Sequence, residues 1–521
     1  MLFNSFPFLL AFLPITLAVY FLAARAEDQR WAHGWLLLAS LFFYGWWSPA
    51  NLWIIVASIG FNFYLGRHRI QVSAQPRRRW YLTLGIAGNL ALLGYFKYAN
   101  FFVDNYNALG GPPLHLQRVI LPIAISFFTF QQIVFLVEAY RGQAGDYDLL
   151  RYALLVTFFP HLIAGPIVHY REMLGQFSRP GVKRVQASHF AVGVTIFSIG
   201  LFKKVVLADG IAPSANAVFN AAASPDISPA FFEAWIGALA YTFQLYFDFS
   251  GYSDMAIGLA RIFGIRFPMN FNSPYKAINI IDFWRRWHIT LSRFLRDHLY
   301  IPLGGNRKGR VRQRVNLLLT MLLGGLWHGA GWTFVIWGGL HGLYLIANHQ
   351  WQAARRRLGI ERTTAPGRAV ARVFTFLCVV VAWVFFRAEG FSAATKLLKA
   401  MFLGDGISLS PRLAGSLAAL GRVVRVRPDG LSPNGLLEVG DAVWWIVALG
   451  AIAWFAPNTQ ELLARYRPVL GHPGEARPAR RPPWLVWRPS YAWSVVVALL
   501  AAAALANMWI GDNAEFLYFQ F

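Results

Sequence analysis

The sequence predicts an all-α, multi-pass membrane protein. Of its 521 residues, 56% are hydrophobic and only 14% are charged, whereas soluble domains carry roughly 25% charged residues. Apolar runs long enough to cross a bilayer recur along the chain. The net charge of +24 fits cytoplasmic loops that face anionic lipids. A nucleic-acid partner is not expected, because the basic residues are scattered between apolar runs.

The apolar runs predict roughly 11 to 13 membrane-embedded helices, some of them re-entrant. The first run, Phe6–Ala24, has no basic residue before it and no small-residue cleavage site after it, so it is interpreted as a retained transmembrane helix. The long run 315–348 has room for two elements. The further candidate spans lie near 34–48, 50–66, 81–103, 119–139, 150–168, 189–208, 231–247, 315–348, 370–387, 441–456 and 491–509.

A single membrane domain over 1–521 is expected, with extramembrane loops near 404–438 and 458–490, which are rich in Pro, Gly and Arg. No internal repeat is visible, which weakens an inverted-repeat transporter. Clusters of basic residues predict the cytoplasmic side. They are Arg67–Arg69, Arg77–Arg79, Lys203–Lys204, Arg307–Arg314, Arg355–Arg357 and Arg477–Arg481.

Residues 244–349 form the core motif region, because polar groups interrupt apolar sequence there. Asp248 and Asp254 lie beside an apolar run. The stretch Phe283–Asp297 has helical spacing and predicts one basic amphipathic helix that carries His288. A purely structural helix at the membrane surface explains the same periodicity.

His328 lies in the middle of a strongly apolar stretch and is flanked by glycines. An ionisable residue at membrane depth is costly and is a candidate functional group. A histidine that hydrogen-bonds a neighbouring helix is the competing interpretation. His341 has fewer supporting features and is expected to be structural, and Cys378 is expected to be a packed hydrophobe.

Several chemistries are excluded by their missing motifs. No His-x-x-x-x-Asp pattern, His-Glu-x-x-His motif or Walker phosphate loop occurs. Ser253 does not lie in a Gly-x-Ser-x-Gly elbow, and the 12 histidines show no metal-ligand spacing, so no metal is expected. A buried imidazole that acts as a general base, beside a basic surface for an anionic substrate, is what remains.

The residues resemble a known family, the membrane-bound O-acyltransferases, and within it the alginate O-acetyltransferase type of bacterial exopolysaccharide modifiers. The resemblance runs over residues 1–521, with 404–490 the least familiar part. The matching stretches are Phe96–Asn100, Leu121–Ser126, Phe159–Pro166, Gln244–Gly258, Phe283–Asp297, Leu303–Arg307, Gly324–Ala330 and Phe516–Phe521.

This resemblance implies a reaction and a set of site residues. It implies acetyl-CoA as a cytoplasmic donor substrate, no bound cofactor, and an hourglass-shaped fold with two funnels. His328 maps to the catalytic position and would remove the proton of the attacking hydroxyl. His288 maps to the second motif position and would orient the donor or stabilise charge at the thioester carbonyl. The candidate donor-binding residues are Arg285, Arg286, Trp327 and Asn306, although solvated or lipid-facing arginines are an equal alternative.

Relatives of this type work in the bacterial inner membrane with polysaccharide secretion machinery and a periplasmic subunit of serine-hydrolase-like fold. The resemblance therefore implies acetylation of an exported polymer, alginate or cellulose. Tyr518 is a candidate acyl relay, because a phenol is a better leaving group than an alkyl alcohol, while an interfacial aromatic belt is the simpler interpretation of Phe516–Phe521. A transporter or flippase for an acyl or sugar carrier, or a non-catalytic scaffold, are the competing functions.

Overall fold

A computed structural model describes most of the chain. The described residues are 1–110, 112–145, 147–177, 186–360, 364–402, 407–408, 426–427, 432–471, 486–511 and 516–517. Helices dominate them, so the predicted all-α membrane fold is confirmed. The described strands are the two-residue β1 (Ile407–Ser408) and β2 (Val426–Arg427), which pair in parallel.

The helices of the described chain are numbered from the N-terminus. They are α1 (Leu13–Ala23), α2 (Arg30–Gly45), α3 (Leu52–Phe63), α4 (Arg77–Leu93), α5 (Ala99–Ala108), α6 (Ile125–Tyr140), α7 (Leu149–Thr157), α8 (Phe159–Leu162), α9 (Tyr170–Phe177), α10 (Ala187–Phe202), α11 (Asp209–Ala223), α12 (Phe231–Ile262), α13 (Ile280–Trp284), α14 (Ile289–Leu295), α15 (Gly309–His328), α16 (Trp332–Arg357), α17 (Ala365–Arg387), α18 (Phe391–Met401), α19 (Val439–Phe455), α20 (Thr459–Leu462) and α21 (Tyr491–Ile510). The π-helical segments are Pro7–Phe12, Tyr64–Ile70, Gly94–Tyr98, Lys203–Ala208 and Arg296–Tyr300, and the 3₁₀ segments are Pro49–Asn51, Pro274–Lys276 and Ala464–Tyr466.

Four helical runs of the described chain are long and apolar enough to cross a membrane. They are Pro49–Ile70, Ala187–Ala223, Ala365–Arg387 and Tyr491–Ile510. Three shorter apolar helices, Pro7–Ala23, Ile125–Tyr140 and Val439–Phe455, complement them. The predicted total of 11 to 13 embedded helices stays a prediction.

The chain divides into two compact units, and the first comprises residues 1–202, 251–270 and 459–520. In this unit α10 touches the end of α12 backbone to backbone. A Cβ added at Gly193 would lie 2.7 Å from the carbonyl oxygen of Gly258, and one at Gly200 would lie 2.6 Å from that of Gly251. Small residues at such crossings let helices approach closely without lipid between them.

The second unit comprises residues 203–250 and 271–458 and contains α15 and α16. These two helices also meet backbone to backbone, because a Cβ at Gly325 would lie 2.2 Å from the carbonyl oxygen of Phe334. The turn 329–331 joins them, so the predicted division of the run 315–348 into two elements is confirmed.

The continuous helix predicted for Phe283–Asp297 is wrong. Helix α13 ends at Trp284, and α14 begins only at Ile289. His288 has a left-handed backbone (φ +41°), which ends helical geometry whatever the side-chain periodicity. The predicted loop 404–438 lies largely outside the described residues, and the cluster Arg477–Arg481 lies wholly outside them. Of the predicted loop 458–490, only 472–485 lies outside, and the described part contains α20 and the 3₁₀ segment Ala464–Tyr466.

Two neighbouring glycines of α16 give a matched test of the backbone contact. A Cβ at Gly338 would lie 2.3 Å from the carbonyl oxygen of Met321, whereas one at Gly339 would meet Leu322 at an ordinary 3.5 Å. We expect Gly338→Ala to lower stability by about 1–3 kcal/mol through overpacking. Gly339→Ala should be neutral or slightly stabilising, because alanine favours the helix. Thermal unfolding of the two purified variants compares them, and equal melting temperatures would show that the contact is unimportant.

Candidate active site

His328 is the last residue of α15 and is 6% exposed. Helical geometry ends there, since Gly329 follows in an extended conformation and a Cβ at that position would lie 2.2 Å from the Phe334 ring. Two rings besides its neighbour in sequence enclose the imidazole. Their centroids lie 5.0 Å (Trp337) and 5.3 Å (Phe386) from it, both edge to face. The predicted catalytic histidine therefore lies in an apolar, aromatic pocket.

His288 is fully buried and lies at the N-terminal cap of α14. Its ring meets Phe249 of α12 edge to face at 4.8 Å and stacks on Phe271 at 6.4 Å. Burial away from water lowers the pKa of the His288 imidazole to about 3, so the side chain is neutral at physiological pH. A neutral imidazole offers one N–H donor and one acceptor nitrogen.

The Trp327 ring lies close to both histidine rings. Its ring centroid lies 6.4 Å from that of His288 and 4.9 Å from that of His328. The sum of these two distances is the largest separation that the two imidazole centroids can have. The structure thus brings together Trp327, His288 and His328 in one water-poor region, although 40 residues separate the two histidines in the sequence.

The other candidate donor-binding residues are more exposed. Arg285 is exposed, whereas Arg286 is half-buried and donates to the Asp282 carboxylate at 2.8 Å and to the Asn272 carbonyl oxygen at 3.2 Å. These bonds hold the turn between α13 and α14. Asn306 is exposed in the loop before α15. Their donor-binding role stays a prediction.

His341 of α16 is fully buried beside the same aromatic rings. The indole N–H of Trp284 donates to its Nδ1 at 3.3 Å, and its ring lies parallel to Phe283 and 4.9 Å from Trp337. Since Nδ1 accepts a hydrogen bond, that nitrogen carries no proton. The hydrogen bond links α13 to α16, which is what the expected structural role requires.

Sequence reasoning missed a buried ion cluster in the same unit. The Lys204 ammonium lies 2.9 Å from Asp209 and 2.7 Å from Asp248, and its side chain is 1% exposed. The cluster Lys203–Lys204 was expected to mark the cytoplasmic side, which stays a prediction, and it lies within the helical run Ala187–Ala223. The pairing was not foreseen because the partner carboxylates are 5 and 44 residues away in the sequence. Asp248 precedes Phe249, so the cluster fixes the turn of α12 that packs against His288.

The described part of the C-terminal stretch packs inward. Phe516 and Leu517 are buried, and the Phe516 ring lies 4.3 Å from that of Tyr252, which is not what an interfacial belt would show for those two residues. Tyr518 lies outside the described residues. Within the residues that the structure does describe, no group of His, Cys, Asp and Glu could hold a metal ion.

Comparison with known proteins decides the family. The model of the membrane-bound O-acyltransferase family matches residues 81–386, more than half of the chain and the whole of the site. The chain belongs to the membrane-bound O-acyltransferase family. The resemblance found in the motifs is therefore confirmed, and the protein is an acyltransferase.

Relatives named for O-acetyl transfer are similar over most of this O-acyltransferase. A Helicobacter pylori protein named peptidoglycan O-acetyltransferase is 46% identical over 435 residues, 78% of this chain and 81% of the relative. The probable alginate O-acetylase AlgI of Pseudomonas aeruginosa is 39% identical in an alignment of 544 positions that covers all of both chains. A teichoic acid D-alanyltransferase of Bacillus subtilis is 29% identical over 49% of this chain and 66% of its own length.

The left-handed backbone of His288 allows its structural role to be tested separately from its predicted chemical role. We expect His288→Asn to keep the melting temperature near that of the wild type, because asparagine tolerates the left-handed region. His288→Val should lose about 1–2 kcal/mol from backbone strain. Both variants should lose activity. Thermal unfolding and acyl transfer are measured on each, and a His288→Asn enzyme with full activity would exclude a chemical role.

Proposed function

We propose that this O-acyltransferase moves an acetyl group from cytoplasmic acetyl-CoA across the bacterial inner membrane to hydroxyl groups of an exported polysaccharide. The single observation that carries the proposal is the position of His328, buried among aromatic rings and linked through Trp327 to His288. The names of the relatives, which refer to O-acetylation of alginate and of peptidoglycan, support acetyl as the transferred group.

In the proposed reaction the His328 imidazole accepts the proton of an acceptor hydroxyl. The hydroxyl oxygen then bonds to the thioester carbonyl carbon, and the C–S bond breaks. The departing thiolate of coenzyme A takes the proton back from the imidazolium, so protons and charge balance. General-base assistance of this kind contributes about 10²–10⁴-fold in rate.

His288 stabilises the negative charge that develops on the thioester carbonyl oxygen. As a neutral imidazole it donates one hydrogen bond, which gains strength as negative charge develops on that oxygen. Aromatic walls around both histidines exclude water, which would otherwise hydrolyse the thioester. Trp327 offers a flat surface against which the acetyl group can pack.

The acceptor side involves partners outside this chain. We propose a periplasmic serine-hydrolase-like subunit and the secretion machinery of the polymer. Alginate is the first polymer to test, since relatives similar over their full length carry that name, and cellulose is the second. A panel that also includes peptidoglycan fragments covers the acceptor named for the Helicobacter pylori relative.

The variant His328→Ala, assayed in lipid, tests the role of His328 as the general base. We expect turnover of acetyl-CoA, followed as thiol release and as labelled acetyl on the polymer, to fall about 10²–10⁴-fold with the variant still folded. His115→Ala, at an exposed position, is the control and should keep wild-type turnover. Equal turnover by His328→Ala would refute the role of His328, and an inactive wild type with competent partner and polymer would refute the proposed function.

We also propose that Tyr518 carries the acetyl group as an aryl ester between coenzyme A and the partner subunit. The sequence feature behind this step is a phenol in the C-terminal stretch Phe516–Phe521. Intact-mass analysis after exposure to acetyl-CoA should show one acetyl adduct that Tyr518→Phe removes. Unchanged polymer acetylation by Tyr518→Phe would eliminate the relay and leave the base at His328 untouched.

A further inference from the structure

A cationic cavity lies between α15 and α16, at the opposite end of these helices from His328. It has a volume of about 620 Å³. Its charged and titratable lining comes from the first two turns of α15 and the last turns of α16. The lining residues of this kind are Arg310, Arg314, His349, Arg356 and Arg357. We call this space the arginine cavity.

The residues that line the arginine cavity include no Asp or Glu. Residues 298–360 contain eight Lys and Arg and no Asp or Glu. Arg310, Arg314, Arg356 and Arg357 are exposed at the cavity. The N-terminus of α15, a 20-residue helix, adds partial positive charge to the same end. A concave site with several guanidinium groups and no acid is suited to phosphate groups, which arginine binds in a bidentate manner.

One face of α15 runs from the arginine cavity to His328. Arg310 precedes His328 by 18 residues, which is five full turns, and Arg314 and Leu317 lie within about 40° of the same line. The side chains on this face become steadily less accessible along it. Arg310 and Arg314 are exposed, Leu317 is half-buried, and Met321, Gly324 and His328 are buried.

The length of this face matches the pantetheine arm of coenzyme A. From Arg314 to His328 the helix rises about 21 Å. The arm has about 13 bonds between its phosphorus and its sulfur, as many as four to five peptide residues, and so reaches roughly 16 Å when extended. The Arg314 side chain covers the difference. Because α15 and α16 touch at Met321 and Gly338 between the cavity and His328, the arm would pass beside this contact. A coenzyme A whose phosphates lie in the arginine cavity would then bring its thioester near His328.

We propose that the arginine cavity binds the phosphate groups of coenzyme A, and that the length of α15 sets the distance between those phosphates and His328. This inference rests on the proposed function, because it takes acetyl-CoA as the donor. It assigns the phosphates to Arg310 and Arg314 rather than to Arg285 and Arg286. An anionic lipid headgroup has the same phosphate chemistry, and the experiment separates the two sources.

The test compares Arg314→Gln with Arg312→Gln. Both variants remove one charge from the same exposed turn, but Arg312 lies about 160° from His328 around α15 and does not line the arginine cavity. We expect Arg314→Gln to raise KM for acetyl-CoA about tenfold with little change in kcat, as loss of one charge-assisted hydrogen bond requires. The KM of Arg312→Gln for acetyl-CoA should stay within about twofold of the wild-type value.

Acetyl-pantetheine, which lacks all phosphates, is the second substrate. Its KM should be the same for Arg314→Gln and for the wild type, because the interaction that the variant loses is absent. All assays are run in phosphatidylcholine nanodiscs and in nanodiscs that also contain cardiolipin. An effect of Arg314→Gln that is seen only with cardiolipin, or one that Arg312→Gln reproduces, would overturn the assignment to coenzyme A.

Failure of the site and failure of the function are distinguishable. An active wild type whose KM for acetyl-CoA is unaffected by Arg314→Gln overturns the site and leaves the function intact. If the wild type transfers no acetyl group, equilibrium binding of coenzyme A in phosphatidylcholine nanodiscs decides the site. A roughly tenfold weaker Kd for Arg314→Gln alone supports it, and equal Kd values for both variants overturn it.

Discussion

Helices α15 and α16 touch backbone to backbone at Gly325 and Gly338, and the geometry of the reaction site follows from that contact. Because no side chain separates the helices there, the three residues after His328 can turn the chain directly into α16. That turn brings Trp337 onto the His328 ring. Between the N-terminal end of α15 and the C-terminal end of α16, the same helices enclose the arginine cavity. One close contact thus fixes both the buried end and the open end of the hairpin.

The two candidate catalytic histidines are placed by packing. Burial of His288 between Phe249 and Phe271 offsets the strain of its left-handed backbone, and strain of this kind persists only where surrounding structure holds it. The turn of α12 that carries Phe249 is itself held by the ion cluster of Lys204, Asp209 and Asp248. Polar groups in the apolar interior therefore serve as anchors for aromatic rings, and the rings position the imidazoles.

The sequence indicated those parts of the candidate site that depend on local chemistry. A histidine among glycines in an apolar stretch indicated His328, and the length of that stretch indicated two helices. The break at His288 was not predictable, because a left-handed residue that is not glycine leaves the apolar periodicity unchanged. The pairing of Lys204 was missed for a different reason: Asp248 is 44 residues away and meets it only in three dimensions. The arginine cavity was visible as two basic clusters, but their convergence required the antiparallel pairing of α15 and α16.

In the proposed reaction the donor's reactive carbonyl lies between His288 and His328, against Trp327. The most direct measurement is a cryo-EM structure of the protein in lipid with an acetyl-CoA analogue whose thioester sulfur is replaced by methylene, so that transfer cannot occur. We predict that the analogue's carbonyl lies within hydrogen-bonding distance of His288 and in contact with the His328 and Trp327 rings. An analogue bound with its carbonyl away from both histidines would contradict this placement.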